Sequence, residues 1–204
     1  MNRIALLRHF PTDWNGERRL QGRVDRPLTE TARQTLRGLA LPPPWDRVAI
    51  VASPLSRAVD TAHLLAPHIR PRLDAGLVEL SWGDWEGLTT AEVPKDPESG
   101  APAVHRLGWR GRPPGGESAA EGWERVRPAL ARLAEGPDAL VVCHKALMRV
   151  ILGQACGWTG PDGGTVEIKR GRLYPLTLLP DGTPTAPALP VRLIPRVAGT
   201  GDAA

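Results

Sequence analysis

Apolar and polar positions change their spacing several times along the chain. Residues 3–9, RIALLRH, form a continuous apolar run ending on two basic side chains, the pattern of a strand buried on both faces. A polar loop, PTDWNGERRLQGRVDRP, follows. LTETARQTLRGLAL then places leucines at 36, 39 and 41 behind Thr29, a good helix-capping residue. RVAIVAS reads as a second apolar strand, and PLSRAVDTAHLLAPHI as a second helix with Pro54 near its start. AGLVELSWGDWEGLT reads as a strand or extended segment leading into a turn. Residues 90–116 are rich in Pro and Gly without a period and predict a long loop or lid. ESAAEGWERVRPALARLAEG predicts a long helix that Pro128 kinks or divides. DALVVCH predicts a third strand, and KALMRVILGQAC the helix after it. GTVEIKRGRLYPLTLLPDG predicts two strands of a hairpin. Residues 184–204, with prolines at 184, 187, 190 and 195, predict an extended or loose tail.

Strands alternating with helices predict an α/β fold over 1–204, a single-domain three-layer sandwich with a mostly parallel central sheet flanked by helices. In such sheets ligands bind beyond the carboxyl ends of the strands. Here the first strand ends in Arg8 and His9, the second runs into Ser53 just ahead of Arg57, and the third ends at His144. Three strands thus bring basic or imidazole groups to one edge.

Composition alters this picture little. Over 204 residues, 41% apolar and 24% charged content is ordinary for a soluble globular protein. No apolar run approaches the roughly 20 residues of a membrane span, and the apolar stretch at the N-terminus is short for a signal peptide, so a cytoplasmic protein is expected. Cys143 and Cys156 form neither a disulfide framework nor a zinc pattern. The 26 basic residues, all but three of them arginine, leave a net charge of +4 but form no dense run or aromatic-interleaved patch. Nucleic acid is therefore not an expected partner, and the charge mildly favours anionic substrates.

Transfer of a phosphoryl group needs a nucleophile, positive groups on its oxygens and a proton donor for the leaving oxygen. A neutral imidazole can attack through its free ring nitrogen. Guanidinium groups both grip phosphate and lower a neighbouring histidine pKa. Arg8, His9, Arg57 and His144 supply these parts, short of an acid.

The residues around them resemble the histidine phosphatase superfamily, its phosphoglycerate mutase-like branch. LLRHFPTDWNGERRLQGRVDRPLTETARQ is similar to the family's opening, ASPLSRAVDTAHLL to its second strand and helix, LVELSWGDWEG to its acidic segment, and LVVCHKALMRVIL to its last motif. These run in family order over about residues 4–152. The resemblance implies a phosphomonoesterase acting on a small phosphorylated metabolite, with His9 as the nucleophile that becomes phosphohistidine. Arg8, Arg57 and His144 would line the phosphate pocket, Thr12 and Asn15 would bond the transferred group, and Gln21 and Gly22 would lie beside it. Glu79 would donate and then accept the proton, with Glu86 nearby as its competitor. No cofactor or metal is implied, no nucleic acid or membrane partner is expected, and a homodimer stays open.

Three positions depart from the pattern. Phe10 and Pro11 follow the nucleophile where the family has Gly and then Glu or Gln, and Lys145 stands where Gly follows the second histidine. Lys145 would add charge for an anionic substrate, and Arg106, Arg110 and Arg112 in the 90–116 loop would meet a second anionic group. Alternatives within the resemblance are a phosphoglycerate mutase and a non-catalytic member that binds phosphorylated ligands. CHKALMR, Cys143 to Arg149, also fits the C-x5-R spacing of cysteine phosphatases. It has no Gly to wrap a phosphate and leaves the first three motifs unexplained.

Overall fold

The computed structural model describes residues 1–97, 100, 102–105, 107–158 and 166–197. Its centre is the first predicted strand, β1 (Asn2–Arg8), whose Ile4, Ala5, Leu6 and Leu7 are all shielded from solvent. Apolar on both faces, this segment is stable only inside a sheet covered on both sides. After it come the four-residue α1 (Asp13–Gly16), α2 (Glu30–Arg37), the short β2 (Leu39–Ala40), β3 (Ala49–Ala52), α3 (Ser56–Leu65) and β4 (Arg72–Leu73). Helix α4 (Ala119–Ala134), strand β5 (Ala139–Cys143) and helix α5 (Lys145–Ala155) follow. The last elements are β6 (Arg172–Leu178), β7 (Val191–Arg192) and β8 (Ile194–Pro195).

Six strands form one sheet in the order β4-β3-β5-β1-β6-β7. The first four run parallel, and β6 returns antiparallel along β1, from Leu7 opposite Leu173 to Asn2 opposite Leu178. β7 pairs antiparallel with β6, while β2 and β8 form a separate pair. Because side chains alternate across a strand, the core divides in two. Leu6, Val141 and Cys143 face α4 and α5 through Leu130, Leu147 and Met148. Leu7, Leu140 and Val142 face α2 and α3 through Leu36, Ala58 and Ala62. The observed architecture is the expected three-layer α/β sandwich with a mostly parallel sheet.

Local sequence signals explain the helix starts. Thr29 Oγ1 accepts from Ala32 N at 3.1 Å to cap α2, and Ser118 and Glu121 bond reciprocally to cap α4. Two expectations need correcting. α4 continues through Pro128 without a boundary. Pro128 and Glu124, whose carbonyl loses its helical partner, both lie on the exposed side, where water takes that bond. Nor do the described residues before β6, 166–171, form the first strand of a hairpin; residues 164 and 165 of that expectation lie outside the described residues. Tyr174 Oη instead donates to Glu167 O at 2.8 Å and accepts from Lys169 N at 2.6 Å, which ties this segment back onto the strand that follows. β6 finds its second neighbour in β7, within the predicted tail.

Candidate active site

β1 leaves the sheet at Arg8, and His9 N still donates to Cys143 O at 3.0 Å. The His9 ring is buried, with Nδ1 2.7 Å from Phe10 O. A carbonyl only accepts, so Nδ1 carries the ring proton and Nε2 keeps its lone pair. Burial, then the charges of Arg57 and Arg8, hold this imidazole well below the ordinary histidine pKa. His144 caps α5 with its ring centroid 5.2 Å from that of His9. Its Nδ1 accepts from Arg57 Nε at 3.3 Å, which leaves Nε2–H to donate to Ser53 Oγ at 2.7 Å. Burial and the surrounding positive groups lower its pKa as well.

Arg57, on the first turn of α3, is wholly buried. Its Nη2 donates to Gly22 O at 2.6 Å and its Nη1 to Val24 O at 3.0 Å, so the loop after α1 wraps the guanidinium. Glu86 clamps that loop by accepting from Arg23 N and Val24 N, each at 2.8 Å. A Cβ at Gly22 would collide with Glu86 Oε1 and lie 2.7 Å from Leu80 O, so the close approach requires glycine.

Glu86 is thus engaged away from the imidazoles, and Glu79 is the carboxyl beside them. β4 delivers Glu79 through a 3₁₀ turn over Ala75–Leu77, whose start Asp74 caps by accepting from Gly76 N. Glu79 Oε1 accepts from Leu147 N at 2.8 Å and Leu80 N at 3.0 Å, and Oε2 from Ala146 N at 3.0 Å. Burial outweighs these amide donors and raises the carboxyl pKa. With one amide donor, Oε2 has room to carry a proton.

His9 and Glu79 reach a cavity of about 480 Å³, while the wholly buried Arg57 and His144 stand behind its wall. Arg8, His9, Asn15, Gln21, Glu79 and Lys145, all anticipated from sequence, line it. Thr12 and Gly22 stand behind the wall. Thr12 Oγ1 donates to Gln21 Oε1 at 2.8 Å, and Gly22 supplies the carbonyl that Arg57 holds. Three buried donors of lining residues, Arg8 Nε, Gln21 Nε2 and Arg170 Nε, have no acceptor among the described residues. A bound oxyanion offers such donors the acceptors they lack.

Arg149 and Arg170 also line the cavity and fall outside the four sequence motifs' assigned roles. Arg149 lies one turn beyond Lys145, a spacing legible once α5 is assigned. Arg170 carries no such signal, because its partner Asn15, 2.7 Å away, lies 155 residues earlier. Ser53, the partner of His144, likewise shows its role only in the fold. In the 90–116 segment, Val104 and His105 line the cavity, Arg112 pairs with Glu121, Arg110 is exposed, and Arg106 lies outside the described residues. Cys143 is buried in the core facing α4 and α5, and burial raises its thiol pKa, which removes the cysteine nucleophile reading. Among the described residues no cluster of three His, Cys, Asp or Glu side chains is arranged to hold a metal ion, and no helix is long and apolar enough to cross a membrane.

A cavity that the neutral His9 imidazole faces, that arginines line and that a protonatable carboxyl flanks fits a phosphoryl-transfer enzyme on a parallel-sheet scaffold. Comparison with known proteins makes the assignment particular. The profile of the histidine phosphatase superfamily (branch 1) matches residues 4–185, and the chain belongs to this family. It is 35% identical over 167 residues to the glucosyl-3-phosphoglycerate phosphatase of Mycobacterium tuberculosis, covering 73% of each chain. It is 33% identical over 172 residues to an Enterobacter protein named probable phosphoglycerate mutase GpmB, covering 77% of this chain and 76% of that one. The crystal structure of a mycobacterial glucosyl-3-phosphoglycerate phosphatase with VO3 superposes with a TM-score of 0.72 at 28% identity, over 87% of this chain and 93% of that one. Bacillus stearothermophilus YhfR superposes with a TM-score of 0.76 at 25% identity, over 91% and 95%. The enzyme is a phosphoric monoester hydrolase of the histidine phosphatase type.

Proposed function

We propose that His9 Nε2 is the nucleophile and Glu79 the proton donor and acceptor of a two-step hydrolysis of small phosphorylated metabolites. The observation that carries this reading is the His9 Nδ1–H bond to Phe10 O at 2.7 Å in a neutral, buried ring, which aims chemistry at Nε2. In the first step the Nε2–P bond forms, the ester P–O bond breaks, and the leaving alkoxide takes the proton from Glu79 Oε2. In the second, the Glu79 carboxylate takes a proton from water, whose oxygen attacks phosphorus. The N–P bond breaks and phosphate leaves with His9 neutral again. Arg8 and Arg57 balance the phosphoryl charge, while Asn15 and Gln21 direct amide donors at its oxygens. Thr12 and Gly22 support them through the bonds to Gln21 and Arg57.

The named relatives supply a substrate class, phosphate esters of sugar acids. The 90–116 segment, which lines the cavity through Thr90, Val104 and His105, selects the alcohol portion. A cytoplasmic setting and metal-independent turnover complete the reading. Incubation with ³²P-labelled ester followed by rapid alkaline quench should trap label on the wild-type protein and none on His9→Ala. An equal yield on both would refute His9 as the nucleophile.

A further inference from the structure

The two side-chain amides of the cavity wall take their orientation from outside the four motifs. Asn15 Oδ1 accepts from Arg170 Nη2 at 2.7 Å and from Thr12 N at 3.1 Å. Guanidinium and backbone N–H groups only donate, so the oxygen of this amide faces them and its nitrogen faces away. Asn15 Nδ2 then donates to Gln21 Oε1 at 3.3 Å, and the same oxygen accepts from Thr12 Oγ1 at 2.8 Å. Gln21 is fixed in its turn. Its oxygen is taken up inside the network, and its buried Nε2 is left without an acceptor among the described residues.

Arg170 stands where electrostatics disfavours it, since burial and the charge of Arg8 push its pKa down to about 10. A tether therefore matters. Arg170 sits at the tip of a chain reversal completed by Gly171, whose φ is +70°. On one side Tyr174 Oη accepts from Lys169 N at 2.6 Å and donates to Glu167 O at 2.8 Å, and on the other Leu193 N donates to Gly171 O at 3.0 Å. Ile168 packs in the same core cluster as the Tyr174 ring, which fixes where the segment lies. Glu167 and Lys169 are exposed residues, so water is at hand for both backbone groups if the hydroxyl is removed. The hydroxyl thus adds little to stability and chiefly fixes the turn that carries Arg170.

We propose that Tyr174 and Arg170 are positioning residues for phosphoryl transfer: the Tyr174 hydroxyl holds the turn that carries Arg170, and Arg170 holds the Asn15 and Gln21 amides with their NH₂ groups available to the transferred oxygens. This rests on the reading that those amides bond the phosphoryl group during attack by His9. Without Arg170, Thr12 N alone opposes rotation of the Asn15 amide, and Gln21 is free to turn with it and present oxygen to an anion. The loss of rate is therefore partial.

The quantity to measure is kcat/KM for p-nitrophenyl phosphate, which carries no anion besides its phosphoryl group. Arg170→Met should lower it about 10- to 100-fold, the worth of a charge-assisted hydrogen bond, and Arg170→Lys should recover part of the loss. Tyr174→Phe keeps the ring, removes one oxygen and should lower kcat/KM about 3- to 10-fold. The losses should be coupled: Tyr174→Phe costs less than about 2-fold in the Arg170→Met background, and Arg170→Met less than about 2-fold in the Asn15→Ala background. Thermal melts accompany each variant. A tyrosine that serves only the core would lower activity equally with and without Arg170, and an arginine that grips phosphate itself would matter equally without the Asn15 amide. Either result overturns the proposal, as does a Tyr174→Phe enzyme equal to wild type. A Tyr174→Phe chain that does not fold overturns the tether, and the Arg170 and Asn15 cycle still judges the amides. Label trapped equally on His9→Ala instead overturns the nucleophile, while these couplings still judge the positioning.

Discussion

Replacing Glu79 with glutamine separates its chemical role from its structural one. The carboxylate accepts three backbone N–H bonds, two on Oε1 and one on Oε2. A glutamine that keeps its carbonyl at the Oε1 position preserves the bonds from Leu147 and Leu80. It then turns an NH₂ group towards Ala146 N–H, two donors face to face. One buried donor left without a partner costs about 1–3 kcal/mol, and in a domain of this size each kcal/mol lowers Tm by about 2–4 °C. The variant should therefore fold, with a Tm lower by about 2–12 °C. Its chemistry should depend on the leaving group. Losing a general acid slows release of an alkoxide by about 10²–10⁴-fold. Nitrophenolate needs no proton to leave, so phosphorylation by p-nitrophenyl phosphate should be largely spared. Hydrolysis of the phosphohistidine, which needs the base, should still be slow. Stopped-flow mixing should show a burst of about one nitrophenolate per enzyme, then slow turnover, as a covalent intermediate that outlives its formation requires. Equal losses on alkyl and nitrophenyl esters, with no burst, would refute the acid–base role and leave Glu79 as an anchor for α5.

Stability should depend on pH through the buried imidazoles. Unfolded His9 and His144 take up protons as the pH falls past about 6.5, while in the folded state both pKa values lie well below that. Between those limits the unfolded chain binds more protons, so stability is complete above about pH 6.5 and falls with pH beneath it, by up to about 1.4 kcal/mol per unit for each histidine. Glu79, whose folded pKa is raised, acts in the opposite sense, removing stability as the pH rises above the ordinary carboxyl value of about 4.3. Urea denaturation at pH 7.5 and 5.5 should show the loss, and His9→Gln should reduce it; an unchanged dependence in that variant would contradict a neutral buried His9. Gly22→Ala should force Leu80 or Glu86 to shift and cost about 1–3 kcal/mol by overpacking, read as a lower urea midpoint at unchanged m-value. A midpoint within error of the wild type would show that the loop yields freely.

Where the chain is regular, the placement of its candidate residues was legible. Arg8, His9 and His144 stand at the ends of apolar runs that can only be buried parallel strands, and such strands present their carboxyl ends to one edge. Arg57 follows because a helix must start where β3 stops. Glu79 lies in an irregular stretch with no period, and only the family resemblance singled it out from Glu86. The fold separates the two by their bonds, Glu86 to the loop amides of Arg23 and Val24 and Glu79 to the amides of α5. Arg170 and Ser53 were silent for a different reason. Their roles are pairings across 155 and 91 residues, which no local pattern records. The hairpin expected before β6 failed because one tyrosine hydroxyl satisfies two backbone groups that a strand partner would otherwise have taken.

The departures at Phe10 and Lys145 have structural explanations that differ in kind. A family glycine after the nucleophile suggests a left-handed backbone or a tight approach, yet Arg18 is the one non-glycine described residue with positive φ. Phe10 therefore adopts an ordinary conformation, donates its N–H to Thr61 Oγ1 at 3.1 Å, and buries its ring in the core facing α2 and α3. Its carbonyl, the group that fixes the His9 tautomer, needs no particular side chain. The substitution thus exchanges backbone freedom for packing and leaves the partner of His9 Nδ1 in place. Lys145 does the reverse. It occupies a helical position that any residue can adopt, gains no core contact, and sets a cation at the positive end of a helix beside three arginines. Packing explains Phe10, whereas Lys145 is exposed on the cavity wall, where water can reach its charge.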